Sequence, residues 1–166
     1  MTVFTELKTP IGKLLIAGDE KGLRQIRFES EGSNEPEPDW NRDDGTLAEA
    51  TAQLEAYFAG ELREFNLVLA PEGTPFQMSV WRALAEIPYG QTTSYGAVAE
   101  SIGRPSAFRA VGAANGANPL PIVLPCHRVI GSNGALVGFG GGIDVKEALL
   151  DAERRRVSDQ SELFQS

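Results

Sequence analysis

Three short segments near the start of the chain alternate apolar and polar residues with the period of a β-strand. They cover roughly residues 3–7, 13–17 and 23–28, and turn-forming residues at 9–12 and 19–22 separate them. We therefore predict an antiparallel meander. An acidic, proline-containing stretch over residues 29–45 follows and is predicted to be an exposed loop.

The apolar period then changes to that of a helix. Thr46 and Glu49 form a capping-box pattern, and Gly60 is a suitable stop. Between them, one predicted helical face carries Leu47, Ala50, Leu54, Tyr57 and Phe58. Residues 61–73 are predicted to form a strand and a linker.

The second half of the chain reads as mostly helical. Thr74 and Gln77 form another capping box with Pro75 at the first helical position. The apolar stripe of this helix is predicted to be Phe76, Val80, Leu84 and Ile87. Two short helices at about 95–102 and 107–115, the second capped by Ser106, have the helix-turn-helix arrangement. Many helix pairs that touch no DNA share that spacing.

A final helix is predicted to be capped by Asp144, with Glu147 three residues on. Its predicted apolar stripe is Val145, Ala148, Leu149 and Ala152. The polar residues 158–166 are predicted to be a disordered tail.

Charge divides the chain into two parts. The 166 residues carry a net charge of −8, of which −7 lies in residues 1–70 and −1 in residues 71–166. The chain has no overall positive charge that would by itself indicate nucleic-acid binding. The difference in net charge between its two parts favours two units with different partners. We expect a cytoplasmic protein, since no segment is apolar for long enough to span a bilayer.

The small number of cysteine and histidine residues limits the disulfides and metal sites that the chain can form. One cysteine excludes an intrachain disulfide, and one cysteine with one histidine argues against a zinc site, so we predict no metal and no cofactor. The glycine-rich stretch over residues 138–142 lacks the full dinucleotide fingerprint, and no phosphate-binding P-loop motif occurs. We interpret it as backbone that must approach a ligand closely.

Cys126 is the candidate nucleophile. A lone cysteine is also typical of a small buried core residue, and that interpretation stays open. His127, the sole histidine, is its neighbour, and Glu153 falls one turn after Leu149 on or beside the buried face of the final helix. A thiol, a base beside it and a carboxylate that orients the base make an activated nucleophile.

The second helix of the predicted pair carries almost only small side chains. Arg109 is its one long side chain among alanine and glycine, whereas a sequence-reading helix carries several long polar side chains. In a purely structural interpretation, these small side chains allow close packing against another helix in the core. The functional one is a smooth face that approaches a DNA groove without reading sequence.

These residues resemble a known family, the O6-alkylguanine-DNA alkyltransferases. Its active-site signature is similar to PCHRV at residues 125–129, and further likeness lies at 73–77, 81–84, 87–90, 93–95, 109–112, 118–119, 146–147 and 149–150. The resemblance is dense over residues 73–157. Over the first 70 residues it is a general pattern, chiefly around residues 53–60.

The resemblance implies an α+β protein with an N-terminal ribonuclease-H-like α/β domain over residues 1–72 and a C-terminal winged-helix domain over residues 73–157. Cys126 would accept the alkyl group, His127 would take the thiol proton through a water, and Glu153 would orient His127. Asn118 would fix the loop that holds the site. Tyr95 would help to rotate the nucleotide out and donate toward the guanine.

The resemblance also implies the DNA and substrate contacts. Arg109 would fill the gap left in the base stack. The other predicted DNA-binding residues are Ala107, Ala110, Gly112, Ala113 and Arg128. The predicted substrate pocket is Leu136, Phe139, Gly140 and Gly141. Phe139 stands where several family members carry tyrosine, so one ring contact differs.

The implied function is DNA repair by irreversible, single-turnover transfer of the methyl (alkyl) group from O6-methylguanine in double-stranded DNA to Cys126. O4-methylthymine is an expected second substrate, binding is expected to be independent of sequence, and the protein is expected to be a monomer that does not bind membranes. The alternatives are a non-catalytic binder of alkylated DNA, a small cysteine hydrolase and a DNA-binding regulator. Cys126 argues against the first, and the small side chains of the second helix argue against the last.

Overall fold

A computed structural model describes residues 1–31, 34–136, 139 and 141–165. The chain divides into two compact units: residues 1–73 with 119–123, and residues 74–118 with 124–166. The predicted boundary lies between residues 72 and 73, and the first division between these units falls one residue later. Residues 119–123 differ from the prediction, since Pro119 accepts a hydrogen bond from the Ile26 amide (2.8 Å) and so joins the first unit.

In the described part of the first unit, four strands form a sheet in the order β3-β2-β1-β4. The bounds are β1 Val3–Thr9, β2 Gly12–Asp19, β3 Gly22–Phe28 and β4 Asn41–Arg42. The pairs β1–β2 and β2–β3 are antiparallel, which confirms the predicted meander. The strand β4, which the sequence analysis missed, runs parallel to β1 inside the predicted acidic loop.

The central strand β2 departs from simple alternation. Residues 14–17 are all buried, whereas the pattern predicted a strand with one solvent face. A strand covered on both sides needs apolar residues at successive positions. Helix α1, Ala48–Phe58, buries Ala50, Leu54 and Tyr57 in the core of this unit.

Two local predictions in this unit are wrong. Thr46 does not cap α1, because its hydroxyl donates to the Asp43 carboxylate (2.7 Å), and Leu47 takes the N-cap position without a side-chain hydrogen bond. Residues 61–73 form no strand beyond one isolated parallel bridge between Leu23 and Leu69.

The second unit is mainly helical. Its bounds are α2 Pro75–Leu84, β5 Thr93–Ser94, α3 Tyr95–Ser101, α4 Phe108–Gly116, β6 Val129–Ile130 and α5 Ile143–Gln165. The capping box of Thr74 and Gln77 is confirmed in both directions, and Val80 and Leu84 are fully buried. The short strands β5 and β6 pair in parallel.

Three further details differ from prediction. Ala107, not Ser106, is the N-cap of α4, and it makes no side-chain hydrogen bond. Helix α5 begins at Ile143, so Asp144 lies in its first turn instead of capping it. The same helix continues through Gln165 where a disordered tail was predicted, because residues 158–165 contain no glycine or proline to end it.

The buried face of α5 is also different from the predicted stripe. Ala148 is exposed, and the buried positions are Lys146, Leu149, Leu150 and Glu153. Their spacing of three, four and seven residues is that of one helical face. The face that packs inward therefore carries two charged side chains.

None of the helices in the described part of the chain combines the length and the apolar composition that a membrane span requires.

Candidate active site

Cys126 opens a buried 3-10 turn, Cys126–Arg128, that leads directly into β6. The residue forms no disulfide and is only 4% exposed. Its amide donates to the Leu124 carbonyl (2.7 Å), and its own carbonyl accepts from Asn115 Nδ2 on α4 (3.3 Å). These two hydrogen bonds hold the backbone of Cys126 on both sides.

His127 and Glu153 form a fully buried pair, as predicted from their positions. Both side chains are 0% exposed, and 2.7 Å separates His127 Nε2 from Glu153 Oε2. Burial alone would raise the pKa of Glu153, but hydrogen bonds from His127 and Arg128 and the positive charge of Arg128 lower it to about 2. The carboxylate is thus ionised at neutral pH.

The imidazole is neutral beside this carboxylate. Burial lowers the pKa of His127, and the neighbouring Arg128 and Lys146 cations act in the same direction, against the opposing effect of Glu153. An ionised carboxylate can only accept, so Nε2 must carry the ring proton. Nδ1 is then left with a lone pair, and no hydrogen-bond partner for it is found among the described residues. The ring is held in the tautomer of a general base.

Arg128 occupies the other side of the same carboxylate. Its Nε donates to Glu153 Oε1 (2.8 Å), its Nη2 to Oε2 (3.1 Å), and its Nη1 to the Ile87 carbonyl (2.7 Å). The guanidinium also lies 5.5 Å from the ring centre of Tyr89. The prediction that Arg128 binds DNA is wrong, because this side chain is 5% exposed and its donors are committed inside the protein.

Lys146 is a charged residue at the site that the sequence analysis did not single out. It is 0% exposed, and its Nζ donates to the Val129 carbonyl (2.6 Å). Burial lowers the pKa of Lys146, while a negative charge on Cys126 would raise it. The ammonium and the thiolate are therefore electrostatically coupled. The spacing of Lys146 from Leu149 and Glu153 places it on the same helical face, and this spacing could have indicated that it is buried.

Tyr95 and Asn118 border the cysteine from the helical pair and its following loop. Tyr95 is the first residue of α3, which Ser94 caps, and its ring is half-buried. Burial raises the pKa of Tyr95, as does the charge of an ionised Cys126. Asn118 Nδ2 donates to the Leu124 carbonyl (2.7 Å), two residues before the thiol. Both residues therefore lie near Cys126, and their roles in the reaction stay predictions.

The predicted DNA face lies on α4. Arg109, Ala110 and Ala113 are exposed, whereas Ala107 and Gly112 are half-buried. A Cβ on Gly112 would come within 3.8 Å of the Tyr95 ring. The smooth face and the tyrosine are thus neighbours.

The predicted pocket residues are only partly described. Leu136 and Phe139 are half-buried, Gly141 is buried, and Gly140 lies outside the described residues. A separate cavity of about 400 Å³, lined by Ile87, Gln91 and Val98 among others, contains none of the predicted site residues. Over the described ranges, no group of three or more His, Cys, Asp or Glu could hold a metal ion.

Family models match both halves of the chain. Residues 2–71 match the ribonuclease-like domain of 6-O-methylguanine DNA methyltransferase, and residues 75–155 match its DNA binding domain. This order confirms the predicted fold class.

Curated relatives cover nearly the whole chain. A methylated-DNA--protein-cysteine methyltransferase of Methanosarcina acetivorans is 54% identical over 147 residues, which is 88% of this chain and 94% of that protein. One from Mycobacterium tuberculosis strain H37Rv is 48% identical over 164 residues, 99% of each chain.

Solved structures agree in fold. The crystal structure of Mycobacterium tuberculosis OGT in complex with DNA is 50% identical, with a TM-score of 0.86 over 92% of this chain and 93% of that one. The structure from Pyrococcus kodakaraensis, at 22% identity and a TM-score of 0.65, shares the fold. With both domain models matched and relatives at 48–54% identity along most of its length, this chain belongs to the 6-O-methylguanine DNA methyltransferase family.

Proposed function

We propose that this protein repairs DNA by moving the alkyl group of O6-alkylguanine in a duplex onto Cys126, once per molecule. The observation that carries the proposal is that Cys126 directly precedes His127 in one buried turn, and that His127 is paired with the buried Glu153. The names of the relatives, methylated-DNA--protein-cysteine methyltransferase, describe this reaction for those proteins.

The first step is formation of the thiolate. His127 Nδ1 carries the lone pair that accepts the Cys126 proton, through a water molecule that bridges the two groups. Glu153 stabilises the imidazolium that results, because its carboxylate remains ionised and accepts from Nε2. The ammonium of Lys146 lowers the energy of the thiolate further.

The second step is a displacement at the alkyl carbon. Cys126 Sγ forms a bond to that carbon, the bond between carbon and guanine O6 breaks, and the electron pair stays on the guanine. Tyr95, which burial and the thiolate keep protonated, donates toward the departing base. The product is a thioether with no hydrolysable bond, so no second turnover follows and no cofactor is needed.

DNA binding places the lesion at the thiol. The exposed face of α4 carries Ala110 and Ala113, so it enters a groove without side chains that would select a sequence. A guanine alkylated at O6 pairs poorly and is therefore easier to extrude than a normal base. Arg109 fills the space that the base leaves.

The proposal includes several finer points. Residues 73–157 carry the reaction and residues 1–72 support them, the protein acts as a monomer, and O4-methylthymine is a second substrate. A cytoplasmic location suits the chemistry, because a reducing compartment keeps the sole thiol of Cys126 available.

The test is the recovery of guanine in a duplex that carries one O6-methylguanine. With increasing protein, recovery should rise linearly and stop at one guanine per protein molecule. The Cys126→Ala variant should bind the same duplex and restore no guanine. Recovery well above one per molecule would instead support a turnover hydrolase, and recovery by Cys126→Ala would refute the site.

A further inference from the structure

Asn115 is a buried polar residue that the mechanism above does not use. It is 2% exposed and lies on the inward face of α4 with Val111 and Ala114. Its Nδ2 donates to the Cys126 carbonyl (3.3 Å), and no hydrogen-bond partner for its Oδ1 is found in the part of the chain described. A buried amide with an unpaired acceptor is costly to the folded state. A positioning role would account for such a residue at this point.

The same side chain reaches Tyr95. The Tyr95 ring packs on α4 at Gly112, where a Cβ would lie 3.8 and 3.9 Å from two ring carbons. Gly112 and Asn115 are three residues apart and so share one face of the helix. A hydrogen bond from Asn115 to the Tyr95 hydroxyl lowers the pKa of Tyr95 against the larger effect of burial. One amide therefore touches both the cysteine turn and the tyrosine.

Helix α4 is held firmly at this level. The Trp81 indole Nε1 donates to the Ala114 carbonyl (2.9 Å), and both residues are buried. The position of Asn115 relative to its two partners is therefore set by backbone packing, as a positioning residue requires.

We propose that Asn115 is a positioning residue that links the Cys126 backbone to the Tyr95 hydroxyl, and so aims and strengthens the tyrosine as hydrogen-bond donor to the departing guanine. An amide N–H that donates to a phenol oxygen polarises the O–H bond and makes it a better donor. The inference rests on the proposed function, because it assigns Asn115 a part in the same transfer.

The experiment is a double-mutant cycle with Asn115→Leu, Tyr95→Phe and the double variant, read as the single-turnover rate of methyl transfer. Asn115→Leu should slow transfer about tenfold in the wild-type background. In the Tyr95→Phe background it should change the rate less than about twofold, because the hydroxyl it acts on is gone. Equal slowing in both backgrounds, or no slowing in the wild type, would overturn the proposal.

Two measurements separate this inference from the proposed function. In protein labelled at the tyrosine ring carbon that bears the hydroxyl, the NMR titration of Tyr95 should move to higher pH in Asn115→Leu. Alkylation of Cys126 by iodoacetamide should slow much less than methyl transfer, since no guanine leaves in that reaction. An unmoved titration, or a thiol slowed as much as methyl transfer, would contradict the inference even if DNA repair is confirmed.

A second variant controls for the case in which Asn115→Leu fails to fold. Asn115→Ala removes the amide and places a strong helix former on a helix already rich in alanine. It should show the same rate loss and the same Tyr95 shift as Asn115→Leu while unfolding cooperatively. A wild-type rate in a folded Asn115→Ala protein would refute the role.

Discussion

Glu153→Gln is the substitution with the most definite consequences. It keeps the size of the side chain but replaces an ionised carboxylate that serves both His127 and Arg128. The fall in the pKa of Glu153 from 4.5 to about 2 corresponds to about 3 kcal/mol of stability at neutral pH. Loss of one partner of a buried ion pair costs about 3–5 kcal/mol, which agrees. We expect the free energy of unfolding to drop by about 3 kcal/mol.

The pH dependence has a definite sign. Since the folded-state pKa of Glu153 is depressed, its contribution is complete above pH 4.5 and is lost as the pH falls toward 2. Urea denaturation of wild type and Glu153→Gln should therefore differ by a constant amount near neutrality and converge below pH 4.5. Glu147→Gln makes the same chemical change at an exposed position of α5 and should leave stability within about 0.5 kcal/mol.

The effect on transfer follows from the ring tautomer. A glutamine amide can donate to His127 Nε2, which moves the ring proton to Nδ1 and removes the general base. Loss of a general base lowers a rate about 10²- to 10⁴-fold. Single-turnover transfer under conditions where Glu153→Gln is fully folded should show this loss. A rate within threefold of wild type would refute the role given to the pair.

Three further predictions concern charge, backbone and pH. Lys146→Met should shift the pH profile of Cys126 alkylation to higher pH, because a cation near the thiolate is lost. An unchanged profile would show that Lys146 does not stabilise the thiolate. Gly90→Ala should destabilise by about 1–3 kcal/mol, measured by thermal unfolding, because φ is +81° and the new Cβ would lie 2.5 Å from Val157 Cγ2. Gly134→Ala, with φ +83° but no atom of the described residues within 4 Å of the new Cβ, should cost less. The transfer rate should be flat from pH 7 to 8 and fall only below about pH 6.5, because the pKa of His127 is lowered and protonation removes the base; a decline starting above pH 7 would contradict this.

Strand and helix positions that depend on local pattern were predictable. The meander, the capping box of Thr74 and Gln77 and the placement of Glu153 on a buried helical face all follow from spacing of residue types. Each involves residues close in sequence, so the periodicity of the chain contains the information.

Features that depend on distant partners were not predictable in this way. Thr46 has the right neighbours for a cap, yet Asp43 competes for its hydroxyl. The sequence predicts that Arg128 binds DNA, but its donors bind Glu153 and the Ile87 carbonyl, which come from elsewhere in the unit. Ile122 adopts φ +75°, a conformation that no local signal for a β-branched residue would indicate.

The burial of the Lys146 charge also depends on a distant partner, which the local sequence does not identify. The sequence pattern predicts that Ala148 belongs to the buried stripe of α5, whereas Ala148 is exposed and Lys146 is buried. The Val129 carbonyl, 17 residues earlier in the chain, accepts a hydrogen bond from this ammonium and offsets part of the cost of burying it.

The most direct test of the account is the intact mass of the protein after incubation with a duplex bearing one O6-methylguanine, followed by peptide mapping. The account predicts a gain of a single CH2 group, saturating at one per protein and located on Cys126. A folded protein that binds the lesion but gains no mass would contradict alkyl transfer, and an adduct on any other residue would contradict the site.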